Sequence, residues 1–476
     1  MPPRVSLTMI VRNEQSNLPD CLASIADLVD EMIVVDTGST DHTEQIAGNL
    51  GARVYDFPWT DDFAAARNES LRHATGDWIF WLDADDRVDE ENRRKLRALF
   101  AGLKAENIAY LMRCWSKTSV ASGSVAAVEH VRLFPQHPEI RWQYRVHEQV
   151  LPSVQRLGGC VRSTDIVIRH TGYDDALLHR RKLERNLRLL ELCRAEHPDD
   201  AFVLFHLGQH YLAVGRAAEA LPHLQRSLQR AQPADFFVRK LYGQLARGYC
   251  QLGRWSEALA ACRAAQSRYS DYAELVFLEG QLLSDRGDSA GAERCFARLL
   301  QPGAGFVSDD LGLCGYKARH SLAIIYRRQG RDAEAEAQWR AVVGEKPDFA
   351  PAWLALADLW LSQNRPADVQ QTAAGLRCRS EPWGTALAAV LEARLHLWRR
   401  ELPAAKALLT EIIAADPQAF WPRVLLGDLL LQEGQDPVAA ERVLRETLAL
   451  SPDHQPTRRR LALLVQQRGN STHREQ

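Results

Sequence analysis

Two aspartates one residue apart, Asp83 and Asp85, close the apolar run Trp78-Ile79-Phe80-Trp81-Leu82. An aromatic-rich apolar run reads as a fully buried strand, and such strands place whatever follows them at the carboxyl edge of a sheet. Two carboxylates there can share a hard divalent cation that also carries phosphate oxygens. A diphosphate leaving group needs that charge neutralisation. An isolated Asp-x-Asp is also what a solvated turn looks like, so the weight rests on three other segments. Val11-Arg12-Asn13-Glu14 ends a first strand, Asp36 ends a second, and Ala66-Arg67-Asn68 lies inside a helix. In an open parallel sheet all of them fall on the same edge as Asp83 and Asp85. Each has a plainer reading: Asp36 as a helix cap, Arg67 as a surface partner of Asp61 or Asp62, Asn13 as a turn residue.

The elements that must position these residues alternate along residues 1–172. Strands are expected over 5–11, 33–35, 53–57 and 77–82, with helices near 41–50, 62–73 and 89–103. That β-α-β-α order predicts a parallel sheet covered by helices on both faces. From Ile108 to Ile168 the pattern turns β-rich (108–116, 125–134, 164–169) and reads as an antiparallel extension closing over the site.

In combination, the segments Ser6–Glu14, Glu31–Asp41, Phe63–Asn68, Leu82–Asp85 and Arg145–Glu148 resemble the family 2 glycosyltransferases of GT-A fold. Within that family the chain is most similar to bacterial members that carry a tetratricopeptide array behind the catalytic domain. The resemblance covers roughly residues 5–172 and implies inverting transfer of a sugar from a nucleotide-sugar, with uridine diphosphate the expected carrier. It implies that Asp36 contacts the base, that the backbone at Val11 and Asn13 flanks it, and that Arg67 contacts base or diphosphate. Asp83 would reach ribose and metal (magnesium or manganese), with Asp85 the main metal ligand. His170 stands where such enzymes bring a late histidine to the metal or diphosphate. Thr37 departs from the pattern, since many relatives have a second acid there. The acceptor must lose a proton as it attacks the anomeric carbon, and a nearby carboxylate supplies the base, typically a 10²–10⁴-fold effect. Glu148 is the first candidate and Asp86 the second; the plainer reading of Glu148 is an ion pair with Arg145 or Arg141.

From about residue 201 the chain is helical and repetitive. Gly215, Gly253, Gly287 and Gly330 follow a helix at one offset, with Gly208, Ala246, Gly280 and Ala323 seven residues earlier and Ala220, Ala258, Ala292 and Ala335 five later. A period of about 34 residues with small residues at fixed helix positions is the tetratricopeptide pattern. The expected organisation is a GT-A, Rossmann-like mixed-sheet domain (1–172), a helical linker (173–200), an all-α solenoid (201–468) and a disordered tail (469–476). His206 and His210 stand one helical turn apart but bracket Leu207-Gly208 of the repeat, so they read as packing rather than metal ligands. Aligning the repeats places Lys240, Arg247, Lys317, His320 and Arg327 in a groove, which points to a peptide or protein acceptor fed to the catalytic domain. The alternatives are a transferase of cell-surface polysaccharide assembly, a non-catalytic scaffold, or a homo-oligomer formed through the repeats.

The chain has 476 residues and a net charge of −2, which gives no bulk argument for nucleic acid. Its nine cysteines include no CxxC pair and read as reduced thiols in a cytoplasmic protein. A strand begins almost at once, leaving no room for a signal peptide, and no long apolar run spans a membrane.

Overall fold

The computed structural model describes residues 3–119, 124–172, 176–233, 235–379, 381–451 and 454–472. An eight-stranded mixed sheet forms from β1 (Val5–Val11), β2 (Glu31–Asp36), β3 (Arg53–Asp56), β4 (Trp78–Trp81), β5 (Asp86–Arg87), β6 (Ile108–Ser119), β7 (Ser124–Pro135) and β8 (Cys160–His170), in the order β3-β2-β1-β4-β7-β6-β8-β5. The first four strands are parallel, with Val11 opposite Asp36 and Asp36 opposite Asp56. The expected acidic positions therefore line one carboxyl edge. Helices α1 (Leu18–Ala23), α2 (Thr43–Asn49), α3 (Phe63–His73), α4 (Glu90–Ala101) and α5 (Leu151–Arg156) join the strands. Asp62 and Asp89 start α3 and α4 by accepting from Ala65 N at 2.9 Å and Asn92 N at 3.0 Å.

Alternation along β4 decides what each face buries. Trp78 and Phe80 join one core with Leu7, Val34 and Phe100, while Ile79 and Trp81 join another with Ile33, Phe134 and Trp142. The later strands are not a purely antiparallel extension. β7 runs antiparallel to β4 and β5 antiparallel to β8, but β8 runs parallel to β6, because residues 136–159, including α5, carry the chain across before β8 begins.

Helices follow to the end: α6 (Ala176–Glu196), α7 (Ala201–Ala213), α8 (Ala217–Arg230), α9 (Val238–Gln251), α10 (Trp255–Gln266), α11 (Ala273–Asp285) and α12 (Ser289–Leu299). Then come α13 (Tyr316–Arg328), α14 (Asp332–Glu345), α15 (Ala350–Ser362), α16 (Pro366–Arg377), α17 (Pro382–Trp398), α18 (Leu402–Ala415), α19 (Phe420–Glu433), α20 (Pro437–Leu450) and α21 (Gln455–Thr472). The α/β mixed-sheet domain followed by all-α repeats is the architecture expected from sequence. A Cβ on Gly208 would stand 2.4 Å from Leu224, and one on Gly280 2.8 Å from Phe296, so the small residues do set the helix spacing. Residues 473–476 of the expected tail lie outside the described residues, and α21 continues to Thr472.

Two compact units emerge. One holds Met1–Lys117, Ala126–Asp174 and His179–Ala261, and the other is chiefly Cys262–Gln476. The first repeats therefore pack as one unit with the sheet domain rather than starting a separate body at residue 201. Among the described residues no helix is long and apolar enough to cross a membrane.

Candidate active site

Arg67 is the centre of the site. Its α3 position sends the guanidinium beneath the end of β4, where it is 5% exposed. It donates from Nη2 to Asp83 Oδ1 at 2.8 Å and from Nε to Glu148 Oε1 at 2.7 Å. Its guanidinium carbon lies 4.1 Å from the Trp81 ring centroid and 5.1 Å from that of Trp142. Asn68, the next residue, clasps the Trp142 backbone, donating to its carbonyl at 3.0 Å and accepting from its N–H at 2.9 Å. Arg67 pairs with neither Asp61 nor Asp62; Asp61 is held by Arg188 instead. Glu148 pairs with Arg67 and not with Arg141 or Arg145.

Asp83, Asp85, Asp86 and His170 converge, each offering a donor atom, with all these atoms within 4.8 Å of one another. His170 Nδ1 lies 3.0 Å from Asp86 Oδ1 and 3.3 Å from Asp85 Oδ1. Burial pushes the Asp85 carboxyl up to about 6; His170 opposes the rise, while Asp83, Asp86 and Glu14 reinforce it. Burial works against ionised Asp83 too, yet Arg67, Arg132 and His170 together hold its carboxyl well below the usual range. Burial would lower His170, but Asp86 and Asp85 outweigh it and raise the imidazole. Hard oxygen donors crowded with one imidazole are a donor set that fits a magnesium- or manganese-like cation.

Asp86 requires a correction to the expectation of a second general base. It is completely buried; Oδ2 accepts from Arg132 Nη1 at 2.8 Å and from Asp83 N at 2.9 Å, and Oδ1 faces His170. With both oxygens engaged and no solvent access, it orients its neighbours instead of meeting an acceptor.

Asp36 is 1% exposed, and its Oδ2 accepts from Gly38 N at 2.8 Å and Ser39 N at 2.7 Å. It thus shapes the 37–40 turn. Asn13, at φ 56°, ties the same turn by accepting from Thr40 N at 2.7 Å, and the Val11 carbonyl accepts from Thr37 N and Oγ1, both at 3.0 Å. Thr37 leaves the edge short of an acid in sequence, but Asp56 and Glu44 cluster with Asp36 in space.

Sequence reasoning missed Arg132, on β7. It is 3% exposed, and its guanidinium carbon lies 3.7 Å from the Trp81 ring centroid; nothing in the local sequence pattern distinguishes it from an outward strand residue. The sequence marks His147 only as part of the Arg145–Glu148 segment, and His206 only as a packing residue of the repeat. Their rings stack at 3.9 Å with 9° between planes.

Known proteins resemble this chain in two stretches. Residues 6–117 match the family described as glycosyl transferase family 2, and residues 320–368 match a tetratricopeptide repeat. A TPR repeat-containing protein of Synechococcus elongatus is 39% identical over 250 residues, 51% of this chain and 61% of that one. Glycosyltransferase SunS of Bacillus phage SPbeta is 27% identical over 241 residues, 48% of this chain and 53% of that one. The chain thus spans between half and two thirds of the length of these relatives. Among solved structures, a tetratricopeptide repeat protein from Parabacteroides merdae covers 56% of this chain and 98% of its own at a TM-score of 0.38 and 15% identity.

Proposed function

We propose that the chain uses the family 2 glycosyltransferase domain it carries at residues 6–117 to move a sugar from a nucleotide-sugar, uridine diphosphate-linked, to a peptide or protein acceptor, with inversion. The observation that carries this reading is the shared guanidinium of Arg67, which joins the acidic cluster at Asp83 to the candidate base Glu148.

A divalent cation held by Asp83, Asp85 and His170 would supply charge neutralisation to the departing diphosphate. The chain's own residues do the rest. Asn13, Asp36 and the backbone at Val11 fix the 37–40 turn against which a base would lie. Arg67 aims Glu148, whose side chain is 15% exposed, and Glu148 takes the acceptor's proton as the new bond to the anomeric carbon forms. The anomeric carbon–oxygen bond breaks in the same step, and its electron pair leaves on the diphosphate. Trp81 and Trp142 wall the guanidinium from water, which strengthens its two charged hydrogen bonds.

The repeats support a macromolecular acceptor, although the positive groove expected from sequence is neutralised at three of its five positions. Lys317 pairs with Asp310, Arg327 with Asp332, and desolvation pushes the half-buried His320 down to about 4, so it is neutral near pH 7. A glycan acceptor is the second reading, since that loss of free positive charge weakens the groove's case for a peptide.

A panel of nucleotide-sugars scored for nucleotide release, with and without Mn²⁺, tests the reading. One sugar should be turned over, and Asp85→Ala should abolish metal-dependent release. Release from no donor, with no thermal shift by any nucleoside diphosphate, would leave a scaffold.

A further inference from the structure

We infer that α7, the first helix of the repeats, is a positioning element of the active site: His206 stacks on His147 and thereby fixes the loop that carries Glu148. This rests on the assignment of Glu148 as the proton acceptor.

The loop is conformationally demanding. Tyr144 and His147 both have positive φ, 72° and 57°, a region side chains other than glycine's rarely adopt. Such backbone persists only where its surroundings over-determine it. Here they come from α3, the end of α6 around Cys193 and Glu196, and α7, all within one compact unit. The Arg145 carbonyl accepts from Phe63 N at 2.9 Å, and its guanidinium reaches Glu196 at 3.0 Å. Tyr144 donates to Asp200 at 3.1 Å, and its ring centroid lies 4.9 Å from that of Phe202. At His147, the residue before Glu148, the fastening from the repeats is aromatic: the ring lies flat on His206, with His210 edge-on at 5.1 Å.

That fastening depends on charge. His147 Nε2 is buried without a hydrogen-bond partner. The groups acting on His147 are His210 of α7, His130 of β7 and Arg185 of α6, and those acting on His206 include His147, His210 and Lys240 of α9. Each of these is cationic when charged. Burial, reinforced by them, pushes His147 down to about 3 and His206 well below its ordinary value, Gln209 opposing slightly. The closed loop therefore binds protons more weakly than the open one. Closure is intact above about pH 6.5 and is lost progressively below it.

Hydrogen exchange on the full chain reads this without substrate. The amides of Gln143 and Gln149, each bonded to the other's carbonyl at 3.0 Å, report the loop. At pH 7.5, His206→Ala should speed their exchange by about tenfold or more, while β1 stays protected. His206→Phe keeps a ring in the stack and should remain close to wild type. From pH 6.5 to 5.5, wild-type opening corrected for intrinsic rate should rise by about tenfold or more, and less steeply in His206→Phe. Equal exchange in wild type and His206→Ala overturns the clamp, and pH-independent opening overturns its titration. With a donor in hand, His206→Ala should lower kcat and leave nucleotide Kd unchanged; a change in Kd alone overturns the positioning role. If wild type turns over no donor, the proposed function fails, but the exchange result still stands or falls by itself.

Discussion

At the scale of single residues, one guanidinium and one missing side chain hold the site together. Arg67 neutralises two carboxylates from separate segments, using two of its donors in a fixed fork. Lysine offers one point charge and cannot reach both. Arg67→Lys should therefore lower nucleotide release by about 100-fold, since losing a charged hydrogen bond costs about 1.5–3 kcal/mol. Gly172 works by absence: a Cβ there would sit 1.8 Å from Asp85 Oδ2. Thr171 N and Oγ1 already anchor this turn to the Asp85 carbonyl, both at 2.9 Å, so the backbone cannot easily retreat. Gly172→Ala should swing the Asp85 carboxylate away and weaken Mn²⁺ binding by calorimetry about tenfold or more, with unchanged circular dichroism. Unaltered Mn²⁺ affinity would argue against Asp85 as a ligand.

At the scale of elements, strand ends and helix spacings decide what meets. β4 presents Asp83 at the edge because its four residues are buried on both faces, and a one-residue slip would drive Trp78 and Phe80 into the core that Ile79 and Trp81 fill. The repeat helices are set by equally tight steric terms. Gly208 lets α7 approach α8, and the same approach brings His206 and His210 to the face they occupy. Gly208→Ala should destabilise the first unit by about 1–3 kcal/mol through overpacking against Leu224, measured as a lowered denaturation midpoint. A midpoint equal to wild type would mean that α7 and α8 can separate freely. The turns after later helices show the same demand for left-handed backbone. Gly330 has φ 74°, and where glycine is absent Asn364 and Arg400 adopt 59° and 66°. The repeat geometry is thus held even where its marker residue is lost.

At the scale of the molecule, desolvated imidazoles make each unit sensitive to acidity. In the second unit His320 accepts from Trp339 Nε1 at 3.1 Å, and burial pushes it down to about 4. Its folded value lies below the ordinary 6.5, so the stability tied to its neutral form is whole above about pH 6.5. It declines as pH falls toward about 4, by up to about 1.4 kcal/mol per unit. His320→Gln retains an acceptor for the indole without a titrating ring. Its calorimetric transition should fall less between pH 6.5 and 4.5 than that of wild type; parallel curves would place the acid sensitivity elsewhere.

Periodicity and segment order alone determined much of this protein: an α/β sheet domain ahead of helical repeats, the carboxyl edge as the place for Asp36, Asp83 and Asp85, and the small residues between paired helices. Those features follow from local rules, in which strand burial, helix period and steric size act over a few residues. Tertiary structure decided what lies far apart in sequence. It made β8 parallel to β6, sealed Asp86 beneath Arg132, and brought Glu148 to Arg67 across 81 positions. It also carried His206 from a repeat onto His147. No spacing encodes such pairings, because they depend on how whole elements cross, and a side chain reveals its partner only once that packing is complete.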